Sequence, residues 1–154
     1  RPPLIDLNLE KLIQEAVRSF IFKDCLNSAH DVSDGGIAVA LAECCISSGL
    51  GAKCIFPNSD IRIDRLLFAE GGPRILITVS PENLKKWKTH LKEFQDEIGS
   101  NVPIMELGIV NAEESLVIIK NNFKLIDIPV ATLQDTFEES IPKRIDSKFT
   151  STSI

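Results

Sequence analysis

The run His30-Asp31-Val32-Ser33-Asp34-Gly35-Gly36 constrains this chain more than any other stretch. An extended segment, residues 27–32, leads into it, and an apolar segment, residues 37–47, follows it. The order predicts a short strand, a glycine-containing turn and a helix. The helix carries Ile37, Val39, Ala40, Leu41, Ala42, Cys44, Cys45 and Ile46, so it is apolar nearly all round. Such a helix packs on most of its sides, against a sheet or another domain. Its N-terminus offers unpaired N–H groups and a partial positive charge, which suits a phosphate. The carboxylates of Asp31 and Asp34 suit a divalent cation accompanying that phosphate. Ser33 adds a hydroxyl and His30 an imidazole, so a metal–nucleotide site is the first functional expectation. The plainer reading has Ser33 or Asp34 capping the helix while Gly35 and Gly36 let the backbone pack tightly. A cap needs one acceptor, and this loop supplies several.

A second cluster, Leu67-Phe68-Ala69-Glu70-Gly71-Gly72-Pro73-Arg74, stands just ahead of another extended segment. Its glycines permit either a ligand close to the backbone or only a turn. Glu70 is a candidate metal ligand, and Arg74 could pair with it or with a phosphate. Each cluster sits at a junction of elements, and each strengthens the functional reading of the other.

The rest of the chain supplies a scaffold. Leu9, Leu12, Ile13, Ala16, Val17 and Phe20 recur at helical spacing, with Asp6 or Asn8 as N-cap. Pro2-Pro3 reads as the end of a linker. Gly49 is a natural C-cap for the apolar helix. Strands are expected at 51–56 and 74–79, and a short helix or turn at 60–67. Ser80 as N-cap and Pro81 at the first helical position start a helix with the stripe Leu84, Trp87, Leu91, Phe94 and Ile98, which Gly99 ends. Residues 104–110 and 115–119 read as two strands of a hairpin, with 111–114 as its loop. Asn121-Asn122 turns into a strand at 123–128, and Pro129 opens a last helix to about Ser140. Beyond it the chain is polar, with a flexible tail expected at 146–154. The strands and helices mix without a clean βαβ repeat, which predicts an α+β layered domain over residues 1–145 with a mostly antiparallel sheet covered by helices.

Composition narrows the partners. The 154 residues are 44% hydrophobic and 25% charged, a globular balance. The net charge of −5 argues against nucleic acid, which needs a basic footprint. A nucleotide carried with magnesium stays compatible, because the ion offsets the repulsion. No apolar run approaches ~20 residues, so no membrane-spanning segment is expected. Cys25, Cys44, Cys45 and Cys54 match no zinc spacing and read as buried thiols of a reducing cytoplasm.

The run Ser28-Ala29-His30-Asp31-Val32-Ser33-Asp34-Gly35-Gly36-Ile37-Ala38-Val39-Ala40-Leu41-Ala42-Glu43 resembles the signature of the formylglycinamidine ribonucleotide synthases, in the last domain of their synthetase subunit. Leu67-Phe68-Ala69-Glu70 followed by Arg74 resembles that family's second motif, and the likeness extends over about residues 1–145. The wider superfamily includes aminoimidazole ribonucleotide synthetase, selenophosphate synthetase and thiamine-phosphate kinase. The resemblance implies a partly ferredoxin-like α+β fold and a role in ATP-dependent conversion of formylglycinamide ribonucleotide to its amidine in purine biosynthesis. It implies ATP and Mg2+ as cofactors, a glutaminase subunit and a small accessory subunit as partners, and a cytoplasmic location. Carried onto this sequence, it implies nucleotide contacts at Asp31, Ser33, Asp34, Gly35, Gly36 and Ala69. Glu70 falls at a magnesium-associated position and Gly72 near a substrate contact. Ala69 and Gly72 can offer only backbone groups. The family's catalytic residues lie in earlier domains, so this chain is expected to be a C-terminal fragment with no catalytic residue of its own and no activity alone.

Two other readings compete. One is a structural and interaction module whose nucleotide site is not catalytic. The other is a kinase or selenophosphate synthetase domain of the same superfamily.

Overall fold

The computed structural model describes residues 5–150, with side chains through residue 140. The expected linker residues Pro2-Pro3 lie outside the described residues. Along the chain the elements are α1 (Leu7–Phe22), β1 (Ser28–Asp31), α2 (Gly36–Ser48), β2 (Gly51–Phe56), α3 (Ile63–Phe68) and β3 (Ile75–Thr78). They continue with α4 (Leu84–Ile98), β4 (Gly108–Asn111), β5 (Ser115–Lys120), β6 (Phe123–Pro129) and α5 (Val130–Thr150). Contacts divide the chain into two compact units, Arg1–Ala40 with Ile61–Glu106, and Leu41–Asp60 with Leu107–Ile154.

In the first unit, β1 pairs antiparallel with β3, from Ser28↔Thr78 to Asp31↔Ile75. Asp6 caps α1, its carboxylate accepting the N–H groups of Asn8 and Leu9 at 3.0 Å each. The apolar stripes of α1 and α4 meet in a core of Ala16, Phe20, Cys25, Trp87 and Phe94. Phe20 is its hub, with Trp87, His90 and Phe94 edge-on at centroid distances of 6.1, 5.9 and 6.2 Å. Ser19 Oγ bonds His90 Nε2 at 2.8 Å beside it. Ser80 does not cap α4 directly. Its hydroxyl accepts the Asn83 N–H at 3.3 Å and shapes a turn that precedes the helix.

The second unit holds a four-stranded sheet in the order β4-β2-β5-β6. β2–β4 and β5–β6 are antiparallel, and β2–β5 is parallel. Antiparallel pairing therefore predominates, as the sequence leads one to expect, but this sheet is mixed. Alternation along β2 and β5 buries Ala52, Cys54, Phe56, Leu116 and Ile118 on one face. Asn121 and Asn122 both take positive φ, 52° and 64°, in the tight turn between β5 and β6.

Three expectations fail here. β4 and β5 form no hairpin, because β2 lies between them. The chain between them crosses the start of β2, and Gly51 makes the crossing possible. A Cβ on Gly51 would fall 2.7 Å from the Ser115 backbone N and O and 2.8 Å from Asn111 Oδ1. β4 is also shorter than the expected strand at 104–110. Cys54↔Gly108 is the last pair of its ladder, and Pro57 ends β2 soon after. Residues 104 and 105 thus have no strand to lie against. At the other end, α5 continues to Thr150, past the boundary expected near Ser140, and residues 151–154 of the expected tail lie outside the described residues.

From Gly36 to Ile46 no residue of α2 is exposed, in keeping with its all-round apolar sequence. Cys25, Cys45 and Cys54 are buried and Cys44 is half-buried. Burial, helped by the nearby Cys45, pushes the Cys54 thiol up to about 11. Among the described residues no helix is long and apolar enough to cross a membrane.

Substituting Gly51→Ala forces the 111–115 connection off β2, a strain of about 1–3 kcal/mol. Urea denaturation read by circular dichroism should show the midpoint falling by that amount with the slope unchanged. Cys54 should resist iodoacetamide at pH 8 in the native protein and react once urea exposes it, as peptide mass spectrometry would record.

Candidate functional site

The two sequence clusters meet at the start of α2. β1 delivers the first, and the β1–β3 ladder aligns it with the second. One step past the last ladder pair, the Val32 N–H donates to the Arg74 carbonyl at 2.9 Å. The chain then turns through Ser33 and Asp34 to Gly35 and Gly36, whose φ values are +75° and +69°. An L side chain is strained in that region, which explains a glycine at each position.

Gly36 is needed for a second reason. A Cβ there would stand 2.8 Å from the Leu67 carbonyl oxygen and 2.9 Å from that of Ala69. The start of α2 therefore packs directly on the backbone at the end of α3. Gly36 is buried, and its N–H donates to the Ser33 carbonyl at 3.1 Å. Its role in the structure is packing.

This close approach brings Glu70 to the helix end. The Gly35 N–H donates to Glu70 Oε1 at 3.0 Å. The side-chain acceptor on the start of α2 thus comes from the second cluster rather than from Ser33 or Asp34. A negative charge there is favoured by about 0.3–1 kcal/mol. Arg74 turns to the same loop, its Nη2 donating to the Ala69 carbonyl at 2.5 Å. It pairs with backbone, where the sequence suggested Glu70 or a phosphate as its partner.

Asp31, Ser33, Asp34, Ala69, Glu70 and Gly72 are exposed, and Gly35 is half-buried. Gly72 has a φ of +75°, and a Cβ added there would meet nothing within 4 Å, so it serves the turn and leaves its surroundings open. His30 pairs with Leu76 in the ladder, and its Nδ1 lies 2.6 Å from the Asp31 carbonyl. A carbonyl only accepts, so that nitrogen carries the proton. Of the sequence-predicted residues, the structure brings Gly35, Gly36, Ala69 and Glu70 into one constellation and leaves Asp31, Ser33, Asp34 and Gly72 open to solvent near it in the chain.

Among the described residues no three His, Cys, Asp or Glu side chains gather as a ready cation cage. Magnesium does not require one, since it keeps several waters and takes one or two carboxylates plus phosphate oxygens. The donor set fits such an ion. Glu70 puts a negative charge at a helix end that would otherwise attract a bare phosphate.

Residues 1–120 match the family model of the AIR synthase related protein, C-terminal domain. A phosphoribosylformylglycinamidine synthase subunit PurL from Prochlorococcus marinus is 46% identical over 151 residues, 98% of this chain and 19% of the relative. The subunit of that name from Synechocystis is 40% identical over 149 residues, 96% of this chain and 19% of the relative. The chain thus spans about a fifth of the length of these relatives. Among solved structures, PurLQS from Thermotoga maritima superposes with a TM-score of 0.69 at 19% identity, over 86% of this chain and 22% of the other. T. maritima PurL complexed with ATP gives 0.63 at 19% identity, over 80% and 21%. These likenesses show the fold.

The geometry predicts that Gly36→Ala is far more damaging than an ordinary helix substitution. Positive φ and backbone overlap together cost about 2–4 kcal/mol. Thermal melting should fall accordingly, whereas Gly72→Ala, with strain but no overlap, should lose about 1–2 kcal/mol.

Proposed function

Because this chain belongs to the family of AIR synthase related protein C-terminal domains, we propose that it forms one side of a magnesium–nucleotide phosphate site in a phosphoribosylformylglycinamidine synthase. The observation that carries the reading is the Gly35 N–H bond to Glu70, which joins the two carboxylate-and-glycine loops at one helix N-terminus. The names of the relatives and the ATP complex of T. maritima PurL support it.

In this reading the complete enzyme is an ATP-dependent C–N ligase of purine biosynthesis. The amide oxygen of formylglycinamide ribonucleotide takes the terminal phosphoryl group of ATP. Ammonia then attacks the amide carbon, and phosphate leaves with the oxygen, giving the amidine. This chain contributes binding and electrostatics to that reaction and no catalytic residue. Asp31 and Glu70 present carboxylates to the cation. Backbone groups of Ser33 and Asp34 approach the phosphates, since the N–H groups of Gly35, Gly36 and Ala69 are already held by Glu70, Ser33 and Arg65, and Gly72 lies toward the substrate. The other domains of the synthase, a glutaminase that supplies ammonia and a small accessory subunit complete the machine. An assembly of this kind is supported by the PurLQS structure. Its place is the cytoplasm.

A second reading is favoured by the same bond. Glu70 already satisfies the helix end from within the chain, as a purely structural cap would. Asp31→Asn in the complete synthase separates the two. The binding reading expects kcat/KM for ATP to fall about 10- to 100-fold with melting temperature unchanged. Near-normal kinetics with an unchanged melting temperature would support the structural cap instead, because Glu70 and not Asp31 fills the helix end. The 154-residue chain alone should form no amidine from ATP, magnesium, substrate and ammonia.

A further inference from the structure

Arg74 lies at the base of the two loops, and both its backbone and its side chain hold them. Its carbonyl accepts the Val32 N–H at 2.9 Å, setting the end of β1 just before Ser33. Its Nη2 donates to the Ala69 carbonyl at 2.5 Å. Ala69 directly precedes Glu70, whose Oε1 accepts the Gly35 N–H at 3.0 Å. The bonds close a ring that runs from Val32 to Gly35, across to Glu70 and Ala69, and back through Arg74. Glu70 is itself exposed, so its place depends on how its backbone is anchored.

A second feature sets Arg74 apart. Its Nε is buried and has no hydrogen-bond partner among the described residues. An unmet buried donor is a cost to the fold, and an apolar side chain of similar length would not carry it. Packing alone therefore does not account for a guanidinium here. What the guanidinium does hold is the carbonyl next to Glu70.

We infer that Arg74 is a positioning residue. Its bond to the Ala69 carbonyl keeps Glu70 on the N-terminus of α2 and so sets the charge that a cation-bound phosphate meets. The inference rests on the proposed nucleotide-phosphate site. Arg74 acts through Glu70 and touches no ligand.

The test is a double-mutant cycle in the complete synthase, with Arg74→Ala, Glu70→Ala, the pair together and Arg74→Lys. The rate is followed against magnesium at fixed ATP, and against ATP at saturating magnesium, with melting temperature measured in parallel. Arg74→Ala and Glu70→Ala should each raise the half-saturating magnesium concentration about tenfold. The double variant should be no worse than Glu70→Ala alone, because the two residues act in series. Arg74→Lys, which keeps a cationic donor, should recover most of the loss. If Arg74→Ala does not fold, Arg74→Gln takes its place in the cycle.

A lowered melting temperature with unchanged magnesium dependence would make Arg74 structural only. So would effects that multiply in the double variant. Either result overturns the positioning role while the site survives. If Glu70→Ala leaves both magnesium and ATP dependence unchanged, the site reading itself fails, and the role of Arg74 falls with it.

Discussion

The hydrogen bond from the Gly35 N–H to Glu70 depends on two backbones lying almost in contact. Glycine at position 36 permits that contact, since any side chain would strike the carbonyls of Leu67 and Ala69. The approach seats the start of α2 on the end of α3 and puts a carboxylate against the positive end of a buried helix. Without it the two loops would be separate turns. With it they form one polar surface held by the Gly35–Glu70 and Arg74–Ala69 bonds.

This bracing changes the electrostatic meaning of the helix end. A free N-terminus attracts anions by itself. Here an internal anion already sits on it, and in the proposed reading Glu70 would help hold the cation that accompanies a phosphate. Among the described residues no metal cage gathers there. An ion held partly by phosphate oxygens and water needs few protein ligands. In the proposed reading the site takes a metal–nucleotide pair rather than either component alone.

Much of this could be read from residues in order. The 3.6-residue spacing of Leu9 to Phe20 and of Leu84 to Ile98 marks α1 and α4, because each buries one face against the other. Gly51 to Phe56 alternates, with every second residue turned into the core. Asn121-Asn122 announces its turn, since asparagine tolerates positive φ. On strand order the sequence pattern misled. A loop as short as 111–114 signals a hairpin, and nothing local reveals that Gly51 lets a third strand slip between its arms. Nor could spacing show which acceptor caps α2, for Ser33 and Asp34 were the nearer choices and Glu70 is distant in sequence.

By itself, then, the sequence determined the chemistry at hand: two carboxylate-and-glycine loops, an apolar helix behind the first, and a chain whose motifs mark its family. Those properties follow from side-chain type and local period, which are written in consecutive residues. Tertiary structure alone decided that the loops converge, that Glu70 rather than its neighbours fills the helix end, and that Arg74 braces the loop on which Glu70 stands. These outcomes rest on close backbone approach between segments far apart in the chain, and the register of β1 against β3 sets that approach. The run from His30 to Gly36 promised a helix end ready for phosphate, and folding has placed a carboxylate there first.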